Sequence, residues 1–255
     1  MKEKLEAFER LLHIMDELRE KCPWDKAQTI ESIRNLTIEE VYELADAIME
    51  KGMKDVKEEL GDILLHIVFY SRIASETHDF DIKDVIEGLN AKLVFRHPHV
   101  FGEVSVRDQN DVKKNWEELK LKEGKKSVLG GVPNSLPALI KANRIQEKVR
   151  AIGFDWEERR QVWEKVEEEL GELKVECEKM DQKRMEDEFG DLLFSVVNAA
   201  RLYNVDPETA LERTNRKFIK RFKFLEEQVS KEGKKFKEMS LPEMNVIWEE
   251  AKKSD

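Results

Sequence analysis

Apolar residues recur along most of the chain at three- and four-residue intervals, the spacing of one face of an α-helix. In TIEEVYELADAI, residues 37–48, the positions Ile38, Val41, Leu44, Ala45 and Ile48 predict the buried stripe of such a helix. The periodicity is interrupted at CPWD from residue 22, at Gly52, at HDFD from 78 and at HPHVFG from 97. Later breaks fall at GFDW from 153, at Asp181 and at NVDP from 204. No stretch alternates apolar and polar residues as a half-buried strand does, so the pattern predicts an all-α protein. Gly, Ser and Pro crowd together in KEGKKSVLGGVPNSLPAL, which marks a linker at residues 122–136 between an N-terminal part, 1–121, and a C-terminal part, 137–255. Each part is expected to fold as a bundle of about four helices.

The two parts are copies of one another. EEVYELADAI at 39 matches EELGELKVEC at 168, and EELGDILLHIVFYSR at 58 matches DEFGDLLFSVVNAAR at 187, both at an offset of 129 residues. Asn90, Lys92 and Arg96 pair with Asn215, Lys217 and Arg221 at an offset of 125, and NWEELK pairs with IWEEAK to align Trp116 with Trp248. The same acids recur in each copy: Glu39, Glu40, Glu43, Glu59 and Asp62 in the first, Glu168, Glu169, Glu172, Glu188 and Asp191 in the second. A single E-E-x-x-E reads most simply as a solvated face. Five acids at matched positions in two copies do not.

Residues at i, i+1 and i+4 of a helix share about 100° of arc, so Glu39, Glu40 and Glu43 point the same way, as do Glu168, Glu169 and Glu172. Glu59 with Asp62, and Glu188 with Asp191, do likewise at i, i+3. Turns at Gly52 and Asp181 fold each pair of helices back, which returns the acids to similar heights. Carboxylates facing one another across a helix pair repel unless a cation neutralises them, and oxygen-only ligands suit Mg²⁺ or Mn²⁺. Such ions bridge protein carboxylates and phosphates, so the acids read as a magnesium cradle for a nucleotide. A di-iron carboxylate bundle would need Glu-x-x-His on two helices; the matching positions here are Glu59 to Asp62 and Glu188 to Asp191, and His66 lies outside that spacing.

Lys92 with Arg96, and Lys217 with Arg221, stand at i, i+4 on one helix face, where they can clamp phosphates. Trp116 and Trp248 are either core aromatics or rings that stack on a base. His97 and His99 have Phe222 and Phe224 as counterparts and read as ring packing around a proline turn rather than as zinc ligands. Gly61 and Gly190 suggest close helix approach. Glu31, Glu50, Glu76 and the acids of WEERR are taken as surface.

Composition narrows the picture. A net charge of −10 with 39% charged residues, and no basic stripe that outweighs its acidic neighbours, speaks against nucleic acid. No apolar run reaches membrane-spanning length, the N-terminus lacks a signal-peptide core, and Cys22 and Cys177 form no disulfide framework. A cytoplasmic protein is expected, with neither nucleic acid nor membrane as partner.

CPWDKAQT, EEVYELADAI, ELGDILLHIVFYSR and RHPHVFG in the first copy, with GGVPNSLPALIKANRIQEKVRAIGFDW, EEELGELKVE and EFGDLLFSVVNAAR in the second, resemble the MazG family of nucleoside triphosphate pyrophosphohydrolases over nearly the whole chain. The resemblance implies two tandem four-helix-bundle-type repeats and attack of a metal-activated water on the α-phosphorus of a nucleoside triphosphate. It further implies that Glu169, Glu172, Glu188 and Asp191 hold the metal, that Glu168 is a further ligand or orients the water, and that Lys165, Lys217, Arg221 and Trp248 contact the nucleotide. In the first copy Leu36 stands where Lys165 is expected. The family further implies that the second copy is the main catalyst, that the chain forms homodimers, and that its role is nucleotide-pool housekeeping. The alternative is a non-catalytic helical protein that senses nucleotides or docks a partner.

Overall fold

The computed structural model describes residues 1–108, 111–112, 115–116, 119, 127–156 and 158–253, and among them all regular structure is helical. The chain divides into two compact units, Met1–Val106 and Arg107–Asp255. Residues 122–126 of the expected linker lie outside the described residues, and 127–136 run through bends and turns. None of the described helices is long and apolar enough to cross a membrane.

In the first unit α1 (Lys2–Lys21) ends where Pro23 forces Cys22 into extended backbone, and the short α2 (Pro23–Ala27) follows. Helix α3 (Arg34–Glu50) and α4 (Met53–Glu76) form a tight hairpin. Asp81 and Asp84 cap α5 (Ile82–Arg96) reciprocally, satisfying two otherwise orphaned donors, and α6 (Pro98–Phe101) is a single turn. Helices α1 and α5 both pack on α4. The core joins Met15 of α1, Ile33 and, from α4, Val68 and Phe69, with Leu11, Leu12 and Tyr70 around them. Arg19 is buried beside it; its guanidinium donates to Glu76 at 2.8 and 3.0 Å, to the Gln28 carbonyl at 3.0 Å and to the Asp25 carbonyl. Glu76, expected on the bare surface, is therefore an anchor, and the Arg19 bond holds its carboxyl below the ordinary value.

The second unit repeats the plan. Helix α7 (Ala138–Ala151) packs on α9 and α10; α8 (Arg159–Lys179) and α9 (Gln182–Leu202) form the hairpin; α10 (Pro207–Lys231) carries α11 (Leu241–Lys252). Asp206 caps α10 with Pro207 in the first turn, and Ser240 with Glu243 caps α11. As Arg19 does in the first unit, a buried Arg201 pairs here with Asp155, and with Asn198 at 2.7 Å.

The stripe Ile38, Val41, Leu44, Ala45 and Ile48 is not buried as its spacing predicts. Leu44 is half-buried, the others are exposed, Ile48 to 58%, and Ala47 is the buried residue of α3. The reason is topological: among the described helices α1 and α5 pack on α4, and the principal neighbour of α3 is α4. Gly61 and Gly190 also depart from expectation, because a Cβ at either position would meet nothing within 4 Å.

Met15→Ala should lower the unfolding free energy of the first unit by about 2–5 kcal/mol, since a fully buried side chain leaves a cavity. Denaturant titration checks this, and a loss below about 1 kcal/mol would contradict the assigned core.

Candidate metal centre

Each hairpin turns in two residues. Lys51 and Met180 take left-handed backbone, φ 59° and 57°, and Gly52 and Asp181 then start the return helix, at the breaks the sequence marks. So tight a turn fixes the register of the facing helices. In the second unit Glu169 and Glu172 of α8 meet Glu188 of α9, with one carboxylate oxygen from each lying within 4.8 Å of the others. Glu40 and Glu43 of α3 meet Glu59 of α4 in the same way.

Glu43 and Glu172 are exposed, and the other carboxylates are drawn out of water. Glu169 is buried, Glu40, Glu59 and Glu188 are half-buried, and Oε2 of both Glu59 and Glu188 is enclosed with no hydrogen-bond partner. Burial pushes Glu188 above its ordinary value, and the charges of Glu172, Asp191, Glu169 and Glu176 push it further. Glu59 is raised by burial and then by Glu43, Asp62, Glu40 and Glu58. Glu40 is raised by burial, Asp62 and Glu43, opposed by His66, with Glu39 adding the smallest push. Asp62 and Asp191 thus act on the clusters electrically, while Glu39 and Glu168 stand at the exposed rim. Converging carboxylates, with one buried and orphaned oxygen in each cluster, fit a hard divalent cation.

Lys165 closes one end of the second cluster. Its ammonium donates to Glu169 at 2.7 Å and to Glu168 at 2.9 Å, and these bonds hold its pKa above the ordinary value. Leu36 provides no such cation in the first unit. An open cleft of about 570 Å³ runs along the second cluster, lined by Glu168, Gly171, Glu172, Val175, Glu176 and Glu188. Glu176 and, in the first unit, the buried His66 belong to these seams although the repeated acids did not point to them. The signal was present: Lys165, Glu169, Glu172, Glu176 and Lys179 follow at alternating steps of four and three, a single helical stripe. His66 continues the stripe of Glu59 and Asp62 four residues on.

The remaining expected contacts lie on other helices. Lys217 and Arg221 are on α10, Lys92 and Arg96 on α5. The Trp248 ring of α11 packs against Phe218 with centroids 5.0 Å apart, beside a stack of Phe222 on Phe236 at 5.7 Å. Trp116 falls within the second compact unit. His97 and His99 pack ring against ring at 5.6 Å.

The family model described as the MazG nucleotide pyrophosphohydrolase domain matches residues 28–101 and 158–225, one match for each hairpin. The nucleoside triphosphate pyrophosphohydrolase/pyrophosphatase MazG of Thermotoga maritima is 48% identical over 260 residues, covering 100% of this chain and 99% of that protein. The nucleoside triphosphate pyrophosphohydrolase of Escherichia coli K12 is 39% identical over 257 residues, covering 97% and 98%. YabN, an uncharacterized protein of Bacillus subtilis, is 45% identical over 254 residues, which make up 52% of its length.

Because the folded values of Glu59 and Glu188 lie above 4.5, folding favours their protonated forms. The cost of charging them is absent below the ordinary value and grows as pH rises through the raised one. A divalent cation removes that cost only where the carboxyls are ionised. Added Mg²⁺ should therefore raise the melting temperature of the chelator-treated protein at pH 8 and progressively less toward pH 5. Equal increments at both pH values would contradict cation binding at these carboxyls.

Proposed function

Because the chain belongs to the MazG nucleotide pyrophosphohydrolase family, we propose that it hydrolyses nucleoside triphosphates at the α-phosphorus, with Mg²⁺, replaceable by Mn²⁺, as its cation. The observation that carries this reading is the pair of carboxylate clusters, each holding a buried oxygen without a partner. Glu169, Glu172, Glu188 and Asp191 would hold the cation in the second unit, and Glu39, Glu40, Glu43, Glu59 and Asp62 supply the equivalent set in the first. A bound divalent cation would lower the pKa of a coordinated water and offset charge on the phosphate oxygens.

This chain's own residues do the rest. Glu168 orients the attacking water at the rim of the cleft. The water oxygen bonds to the α-phosphorus, the bond to the bridging oxygen breaks, and pyrophosphate leaves. Lys165 balances Glu168 and Glu169 before substrate arrives and faces phosphate once it is bound. Lys217 and Arg221 are assigned to the phosphates, with Lys92 and Arg96 as their counterparts in the first copy. Trp248, packed on Phe218, offers its remaining face to the base. We place turnover in the second unit, since Leu36 leaves the first without the equivalent of Lys165. The setting is cytoplasmic nucleotide housekeeping.

The test is product analysis on a mixed set of nucleoside triphosphates. Monophosphate and pyrophosphate should form only with the cation present. Glu169→Gln should slow the reaction by about 10²-fold or more, as expected when several kcal/mol of transition-state stabilisation is lost, while Glu40→Gln retains most of it. Diphosphate and phosphate as products would overturn the reading. Tight nucleotide binding without turnover would instead favour a sensing protein.

A homodimer is supported by exposed apolar positions that the duplication keeps: Leu60, Leu64 and Ile67 on α4 match Phe189, Leu193 and Val196 on α9, exposed by 39% to 60%. Leu64→Asp combined with Leu193→Asp should convert a dimer to a monomer in size-exclusion chromatography with light scattering. A wild-type protein that runs as a monomer would remove the proposal.

A further inference from the structure

Helix α10 carries two strips side by side. Lys217 and Arg221 form one, and Phe218 and Phe222 form the other, displaced by one residue and so by about 100° around the axis. The aromatic strip continues through Leu225 and Val229. Those two are only 3% and 2% exposed, whereas Phe222 is exposed by 38% and Phe218 by 57%. The strip thus emerges from the core toward the start of the helix, and its open end consists of rings. Phe222 stacks on Phe236 at 5.7 Å and 10° and on Phe218 at 6.3 Å and 7°, and Phe218 in turn meets the Trp248 indole at 5.0 Å and 54°. All three spacings fall in the range where aromatic pairs attract. Four rings from α10, the 3₁₀ turn Phe236–Glu238 and α11 therefore form one chain of contacts that ends on the indole.

Resting on the functional reading above, we infer that Phe218 is a positioning residue for the nucleobase: braced by Phe222 and Phe236, it sets the angle of the Trp248 ring, and through that ring the second unit prefers a nucleoside triphosphate to a triphosphate without a base. A half-buried indole turns about two torsions unless something packs on it, and holding it still before the base arrives removes part of the cost of ordering the site. Lys217 and Arg221 stand on the same helix as Phe218, so the row also fixes how far the stacking ring lies from the groups assigned to the phosphates. The first copy is not built this way. Leu93 stands at the position aligned with Phe218, and His97 at the one aligned with Phe222. The two copies therefore differ in base recognition as well as in the Lys165 to Leu36 exchange.

Steady-state kinetics of the full chain with Mg²⁺ compares adenosine triphosphate with ribose 5-triphosphate, which keeps the phosphates and sugar and lacks the base. Phe218→Leu, the residue of the first copy, keeps apolar bulk and removes the ring. It should raise KM for adenosine triphosphate about tenfold and leave kcat within about twofold, because a stacking contact made equally in the ground and transition states acts on KM alone. Both constants for ribose 5-triphosphate should stay as in the wild type, and Phe218→Tyr should restore the wild-type KM for adenosine triphosphate. An equal rise with the base-free substrate, an unchanged KM with adenosine triphosphate, or a Phe218→Tyr variant as weak as Phe218→Leu overturns the inference and leaves the functional reading standing. Equilibrium dialysis of both triphosphates, with Glu43→Gln and Glu59→Gln silencing the first cluster, reads the same comparison as Kd. Binding that follows the expected pattern without turnover overturns the functional reading alone, and no binding overturns both.

Discussion

Mutual repulsion among carboxylates in the seam of a two-helix hairpin is the constraint around which the rest of this protein is arranged. Positions that would hold leucine in an ordinary antiparallel helix pair hold Glu169, Glu172 and Glu188, with Glu40, Glu43 and Glu59 in the other copy. Charges drawn together and partly withdrawn from water raise one another's pKa, which is the sign of an arrangement held in place by its surroundings. Those surroundings are identifiable. Two-residue turns fix the register, and α1 or α7 packs onto the return helix. Buried arginine pairs, Arg19 with Glu76 and Arg201 with Asp155, tie down the far end of each return helix.

The two copies keep this backbone plan and differ in the seam. Lys165, Glu176, Lys179, Arg184 and Ser195 in the second unit stand against Leu36, Ala47, Glu50, Asp55 and His66 in the first. Positive groups thus bracket the acids of the second unit at both ends, at Lys165 and at the Lys179 and Arg184 pair. The first seam instead offers an apolar residue at one end, further acids at the turn and a buried imidazole along α4. Bracketing cations lower the cost of assembling the acids in the seam. A duplicated fold has here retained one scaffold for two electrostatically different centres, in keeping with sites, rather than folds, carrying function.

Sequence alone determined the helical class, the duplication and its offset, the breaks at Gly52 and Asp181, and the residue types of the cradle. All of these follow from periodicity and local chain chemistry, which act within one helix or one turn. Tertiary structure decided the rest. Helical spacing gives the angle of Ile38, Val41 and Ile48 around α3 but not which neighbour covers them, and with α1 and α5 both on α4 all three stay exposed. It gives Glu168 and Glu169 as adjacent acids but not that one stands at the rim and the other is buried. Glu76 reads from its sequence as a surface acid and gains its partner only through the approach of Arg19, while Glu176 lines the cleft only because α9 faces it. A carboxylate becomes part of a centre through what faces it across the seam, and that is fixed by the register of two helices, which no single helix encodes.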